Sequence, residues 1–227
     1  LIDKDKVDVY NYDKPVNREV ITTSISRQAI EKGGFKHFMH KEIHEQPTVI
    51  GETLKSFIDP QKKILNFESK LLNNKVNRIS LIACGTSSYA CRVARYWFEE
   101  YAKTPISVDI ASEYRYRNIF KSENELVLFI SQSGETRDTI ASLEEAKSKG
   151  LNTMAIVNVI DSSIARTADE SIITLAGPEI GVASTKAFTT QLLTLFILSV
   201  LLGKNKKLIS VEQENQIINQ LIEIPSL

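Results

Sequence analysis

The chain has 227 residues, with 42% hydrophobic and 25% charged side chains, the make-up of a folded protein with one generous domain or one domain plus an appendage. Its 28 Lys and Arg balance 28 Asp and Glu, which argues against a dedicated nucleic-acid binder, and its 2 cysteines are too few for a disulfide scaffold and suit a reducing compartment. The longest apolar run, Leu192 to Leu202, is interrupted by Thr194 and Ser199 and falls short of the roughly 20 residues of a membrane helix.

Residues 1–36 read as a tail or linker. Val7, Val9, Tyr10 and Tyr12 precede an Asp13-Lys14-Pro15 turn, and Val16, Val20 and Ile21 follow it, a pattern that fits a short β-hairpin with imperfect alternation. No signal peptide is expected, and the opening on Leu1 rather than Met suggests a piece of something longer. Gly33-Gly34 breaks the chain before His37. From Phe38 the apolar spacing turns helical. One helix is expected through Met39 and Ile43, interrupted near Pro47, a second through Val49, Ile50, Leu54 and Phe57, and a third after Pro60 through Ile64, Leu65, Leu71 and Leu72.

The pattern then becomes α/β. Arg78 to Ala83 reads as a buried strand, followed by a helix with a stripe through Tyr89, Ala90, Val93, Ala94, Trp97 and Phe98. Further strands are expected at Ile106 to Ile110, Leu126 to Ile130, Thr153 to Val159 and Ser171 to Leu175. A helix through Ile140, Leu143 and Ala146 stops at Gly150, and a long, nearly all-apolar helix runs from about Ser184 to Leu202. The basic cluster Lys204, Lys206 and Lys207 reads as a solvated loop. Strands alternating with helices predict an α/β fold: a five-stranded parallel sheet with helices on both faces, after a helical lead-in and a short N-terminal tail.

Open parallel sheets bind ligands at the C-terminal ends of their strands. Two of the loops there are rich in hydroxyls: Cys84-Gly85-Thr86-Ser87-Ser88 after the first strand, and Ser131-Gln132-Ser133-Gly134-Glu135-Thr136 after the third. Hydroxyls and unpaired backbone N–H groups at a helix start suit a phosphate, although Ser and Thr also serve there as plain caps. Glu179 to Lys186, entering the long helix, forms a third such turn that can close over the same crevice. Neither G-x-G-x-x-G nor a Walker lysine is present, which disfavours dinucleotide binding. His37, His40 and His44 share a helical face but lack a clear ligand set, so no metal is expected, and Cys84 and Cys91 read as structural thiols. The α/β segment contains no histidine, so histidine-driven acid–base chemistry is not expected within it.

Three strings together identify a resemblance: Ala83-Cys84-Gly85-Thr86-Ser87, Ser131 to Thr136, and Glu179 to Thr189. They resemble a sugar isomerase (SIS) domain, whose fold is flavodoxin-like. With Lys41-Glu42-Ile43-His44-Glu45-Gln46-Pro47 and Ala111 to Arg117, they resemble more narrowly the isomerase half of the glutamine–fructose-6-phosphate aminotransferases. The likeness is strong from His37 to Leu201. It implies that residues 37–227 are the first SIS subdomain with its lead-in and C-terminal helices, and that residues 1–36 are the end of a glutaminase domain and a linker.

The family converts fructose 6-phosphate and glutamine to glucosamine 6-phosphate and glutamate, as a cytoplasmic homodimer. The resemblance implies sugar-phosphate contacts at Thr86, Ser87, Ser131, Gln132, Ser133, Thr136, Val182 and Ser184, with no cofactor, nucleic-acid or membrane partner. The family's glutaminase cysteine has no counterpart here, and its isomerising glutamate, lysine and histidine lie in a second SIS subdomain and its tail. The chain alone is therefore expected to bind substrate without converting it. A non-catalytic SIS sugar-phosphate sensor and a stand-alone phosphosugar isomerase are the other readings. The first calls for a basic DNA-binding helix pair, and the second for a base near the sheet.

Overall fold

The computed structural model describes residues 7–17, 30–59 and 61–226. Strands β1 (Val9–Asn11) and β2 (Lys14–Val16) form an antiparallel hairpin, with Asn11 opposite Lys14. Its turn falls on Tyr12-Asp13, with Tyr12 at φ +53°, so Lys14 and Pro15 belong to the second strand rather than to the expected turn. Val20 and Ile21, expected in the same hairpin, lie outside the described residues.

The lead-in is one helix, α1 (Phe38–Lys55), where the proline suggested two. Pro47 has no N–H to give the carbonyl four residues back, that of Ile43, which normally weakens or breaks a helix. Here the side-chain amide of Gln46 donates to Ile43 O at 3.1 Å and fills that position.

The third expected helix does not form. β3 (Ile58–Asp59) pairs antiparallel with β4 (Ile64–Leu65), and the chain then runs irregularly to the sheet. Polar side chains near the backbone compete with helix here. Asp59 Oδ1 accepts from the N–H groups of Gln61 and Lys62, and Ser69 Oγ accepts from those of Leu71 and Leu72. Lys63 also adopts φ +51°, outside the helical region. Leu65 and Leu72 reach the core regardless, each 2% exposed, so the apolar spacing was real while the helix was not.

The central sheet comprises β5 (Arg78–Ala83), β6 (Ile106–Ile110), β7 (Glu125–Ser131), β8 (Asn152–Val157) and β9 (Glu170–Ile173). All neighbours are parallel, in the order β6-β5-β7-β8-β9. Every residue of β7 is buried, which explains its unbroken apolar run, while the edge strand β6 is half-buried. Side chains alternate between two cores. Ile79, Leu81, Leu126, Leu128 and Ile130 face α1, α2 (Gly85–Tyr101), α6 (Lys186–Asn205) and α7 (Val211–Glu223). Ile82, Val127 and Phe129 face α3 (Ala111–Tyr114), α4 (Arg137–Ser148) and α5 (Ser163–Thr167).

By length and composition α6 could cross a membrane, but 78% of its most apolar window is buried within the protein, chiefly against α2 and α1. It runs past Leu202, so Lys204 lies in its last turn rather than in a solvated loop, and pairs with buried Glu214 at 2.6 Å. Lys206 donates to Thr104 Oγ1 at 2.6 Å.

Candidate functional site

The strand order reverses between β5 and β7: β6 follows β5 on one side, and β7 to β9 continue on the other. Loops leaving adjacent strands in opposite directions open a crevice at the strands' C-terminal ends. A cleft of about 170 Å³ sits there, below the roughly 300–1,000 Å³ of drug-sized pockets and suited to a small polar ligand. Cys84, Thr86 and Ser87 line it from the β5–α2 loop, Ser131, Gln132, Ser133 and Thr136 from the β7–α4 loop, and Ser184 from the turn before α6, with Ile130 at the floor.

Seven of the eight residues singled out from the sequence therefore share this cleft. Val182 does not line it: its side chain is fully exposed at the tip of the 179–185 turn, so any contribution to a ligand comes through its backbone. Cys84, read as structural, also lines the cleft, whereas burial pushes the Cys91 thiol well above its ordinary pKa. His40 and His44 face one another on α1, ring nitrogens 3.1 Å apart, with Phe35 against both.

The β7–α4 loop is held from outside the cleft. Asn158 N–H donates to Gln132 O, and Ile164 N–H to Gly134 O, each at 3.0 Å. Gly134 adopts φ +65°, and a Cβ there would stand 2.0 Å from Ser162 Oγ and 2.4 Å from its Cβ, so nothing larger than glycine fits. Glu135 turns away: its carboxylate accepts from Ser163 N at 2.6 Å, and that bond, with Ser163's hydroxyl, holds the group below the usual carboxylate range.

The hydroxyls in the cleft are oriented. Ser131 Oγ accepts from Gly134 N and lies 3.1 Å from Thr136 Oγ1. Ser133 Oγ accepts from Glu135 N at 3.2 Å, which leaves its own hydrogen to donate. Among the described residues, the side chains of Thr86, Ser87 and Gln132 bond to no other protein group. Neither Cys84 nor Thr136 caps its helix with its side chain, so the first N–H groups of α2 and α4, beside the cleft, are left without a cap acceptor from these residues. The α6 start differs, because Glu179 accepts from Thr185 N, Ala187 N and Ser184 Oγ. No Lys, Arg or His lines the cleft among the described residues. The site is thus a preorganised set of neutral donors at two helix N-termini, which suits a phosphate without a buried cation.

A larger groove of about 500 Å³ runs between α1, α6 and α7, lined by Ile50, Trp97, Leu192, Phe196, Ile217 and Leu221 among others. It lacks the convergent polar groups that fix a small ligand and lies away from the strand ends.

The SIS domain family profile matches residues 71–201. Glutamine–fructose-6-phosphate aminotransferase (isomerizing) from Bradyrhizobium diazoefficiens is 48% identical over 214 residues, 93% of this chain and 35% of that protein. The Clostridium tetani protein of the same name is 44% identical over 99% of this chain and 38% of its own length. The chain thus spans little more than a third of these curated relatives. Among solved structures, the C-terminal domain of glucosamine-fructose-6-phosphate aminotransferase from Francisella tularensis superposes with a TM-score of 0.82 at 43% identity, covering 87% of this chain and 56% of that one.

Proposed function

The chain belongs to the SIS domain family, and from that premise we propose that it is the sugar-phosphate-binding subdomain of a glutamine–fructose-6-phosphate aminotransferase. The longer enzyme would convert fructose 6-phosphate and glutamine to glucosamine 6-phosphate and glutamate, in the cytoplasm and as a homodimer. The observation that carries the reading is the cleft at the β5/β7 reversal, with hydroxyls from three separate loops and two helix starts left open to an anion. Identity of 48% over 93% of the chain supports the choice among SIS functions.

In this reading the phosphate sits against Ser131, Ser133, Thr136 and the first N–H groups of α4. Ser133 donates its free hydrogen, and the helix dipole favours the negative charge. Thr86 and Ser87 close over the sugar. Gln132 offers both an amide donor and a carbonyl acceptor to sugar hydroxyls, and its backbone is pinned by Asn158. The hydroxyl hydrogen of Ser184 is committed to Glu179, so Ser184 serves best as an acceptor from a sugar hydroxyl. In this reading the chain binds and orients the substrate, and among the described residues no carboxylate, histidine or lysine lines the cleft.

Calorimetric titration of fructose 6-phosphate into wild type and Ser133→Ala tests this. Losing a hydrogen bond to a charged group costs about 1.5–3 kcal/mol, so the variant should bind at least roughly tenfold more weakly with an unchanged melting temperature. Equal affinities, with wild type clearly binding, would place the phosphate elsewhere. Ammonia-dependent glucosamine 6-phosphate formation by the purified chain would instead favour a self-sufficient isomerase.

A further inference from the structure

The Lys41 to Pro47 string lies on α1, and none of its residues lines the cleft. Its side chains converge instead on the turn that carries Val182 and Ser184. Glu42 is 2% exposed. Its Oε1 accepts from the N–H groups of Ile180 at 2.6 Å and Gly181 at 2.9 Å, and Oε2 lies 3.2 Å from Gly181 N. A Cβ on residue 181 would stand 2.4 Å from Glu42 Oε2, so glycine is what lets this peptide rest on the carboxylate.

Glu45 and Gln46, three and four residues further along the same helix face, grip the other end of the turn. Glu45 Oε2 pairs with Lys186 Nζ at 2.8 Å, and Lys186 is 3% exposed. Gln46 Oε1 accepts from Thr189 Oγ1 at 2.5 Å. Within the turn, Glu179 ties down Thr185 and Ala187. The backbone is therefore fixed at 180–181 and again at 185–187, leaving only Val182, Ala183 and Ser184 between the anchors. Burying a carboxylate is costly unless charge-assisted hydrogen bonds compensate, and Glu42 makes its bonds to the backbone of this turn.

We propose that Glu42 is a positioning residue: it holds the 180–181 backbone so that Ser184 is presented to the sugar end of the ligand. The proposal rests on reading the cleft as a sugar-phosphate site. Because the phosphate end lies on the β7–α4 loop, which Glu42 does not touch, the two ends of the ligand should respond differently to its loss.

The test compares wild type, Glu42→Ala and Glu42→Gln. Fructose 6-phosphate and inorganic phosphate are titrated separately, and amide exchange is followed at Ile180 and Gly181. Glu42→Ala should weaken fructose 6-phosphate binding about tenfold, leave phosphate binding within about twofold, and release protection at the two amides. Glu42→Gln keeps one acceptor oxygen and should recover most of the loss, with a residual effect of about threefold. If the alanine variant fails to fold, the glutamine variant carries the same comparison with the smaller shift. Wild type binding both ligands, with variants unchanged or with both affinities falling in parallel, overturns this inference alone. A wild type that binds neither ligand overturns the reading of the cleft, and this inference with it.

Discussion

Replacing Gly134 by alanine should damage the cleft through two separable effects. The residue sits at φ +65°, where a side chain costs about 1–2 kcal/mol. The new Cβ would also stand 2.0 Å from Ser162 Oγ and 2.4 Å from Ser162 Cβ. Rotating the hydroxyl away cannot relieve the second contact, so Ser162 must move bodily. Ser162 is the N-cap of α5, where its side chain accepts from Ala165 N, and losing such a cap costs about 1 kcal/mol. Together these give about 2–3 kcal/mol, which for a domain of this size lowers Tm by roughly 4–12 °C. The companion variant Ser162→Gly removes both clashing atoms, and glycine at a cap costs only about a few tenths of a kcal/mol. The double variant should therefore melt about 1–3 °C above Gly134→Ala while keeping the backbone penalty. Differential scanning calorimetry of all four proteins closes the cycle. If Gly134→Ala melts with wild type, or Ser162→Gly gives no rescue, the loop is not held by this contact.

Asp169 accepts from the N–H and Oγ1 of Thr153 and pairs with Lys147. Burial opposes its ionisation, but Lys147 and the Thr153 donors outweigh it and hold the carboxyl below its ordinary value. A depressed carboxylate contributes stability above its unfolded pKa, near 3.9, that is lost as pH falls through the folded value. Asp169→Asn should thus melt below wild type at pH 7, with the gap closing as pH falls from the unfolded pKa through the lower folded value; a gap independent of pH would refute the linkage. Gln46→Ala should lower stability by about 1–2 kcal/mol, since it strips the donor from Ile43 O and the acceptor from Thr189. Adding Pro47→Ala should restore part of that by returning a backbone N–H to Ile43 O, and chemical denaturation of both variants reads the difference.

The parts of this fold legible in the sequence were those decided by local burial. β5, β7 and β8 are covered on both faces, so they read as apolar runs; β5 keeps its expected ends, and those of β7 and β8 move by only one or two residues. Ser131 to Thr136 was legible as a candidate site because hydroxyls, a glycine and a helix start coincide there, and the structure places Ser131, Gln132, Ser133 and Thr136 in one cleft with the β5–α2 loop. What escaped were features made by a side chain reaching a distant or unexpected backbone group. The continuity of α1 depends on one amide of Gln46, and the β3–β4 hairpin on Asp59. Glu42 and its partners Ile180 and Gly181 are 138 and 139 residues apart, a separation that no periodicity records. The string containing Glu42 was conspicuous, but only its contacts say what it holds.

Three helices begin around the cleft, and the protein treats them unequally. At α6 it supplies its own anion: Glu179 takes the Thr185 and Ala187 N–H groups and the Ser184 hydroxyl. At α2 and α4 the cap side chains leave the first N–H groups open. Of the carboxylates beside the α4 start, Glu135 is turned toward Ser163 and Asp138 is paired with Arg115 at 3.1 Å. A phosphate brought to the α6 side would meet Glu179 across Ser184, and two like charges about 6 Å apart repel by about 3 kcal/mol at an effective dielectric of 20. At α4 it meets three hydroxyls, open N–H groups and the positive end of a dipole. Under the proposed function, this charge pattern favours one direction for the ligand, with phosphate toward Ser133 and the neutral, hydroxyl-bearing end toward Ser184.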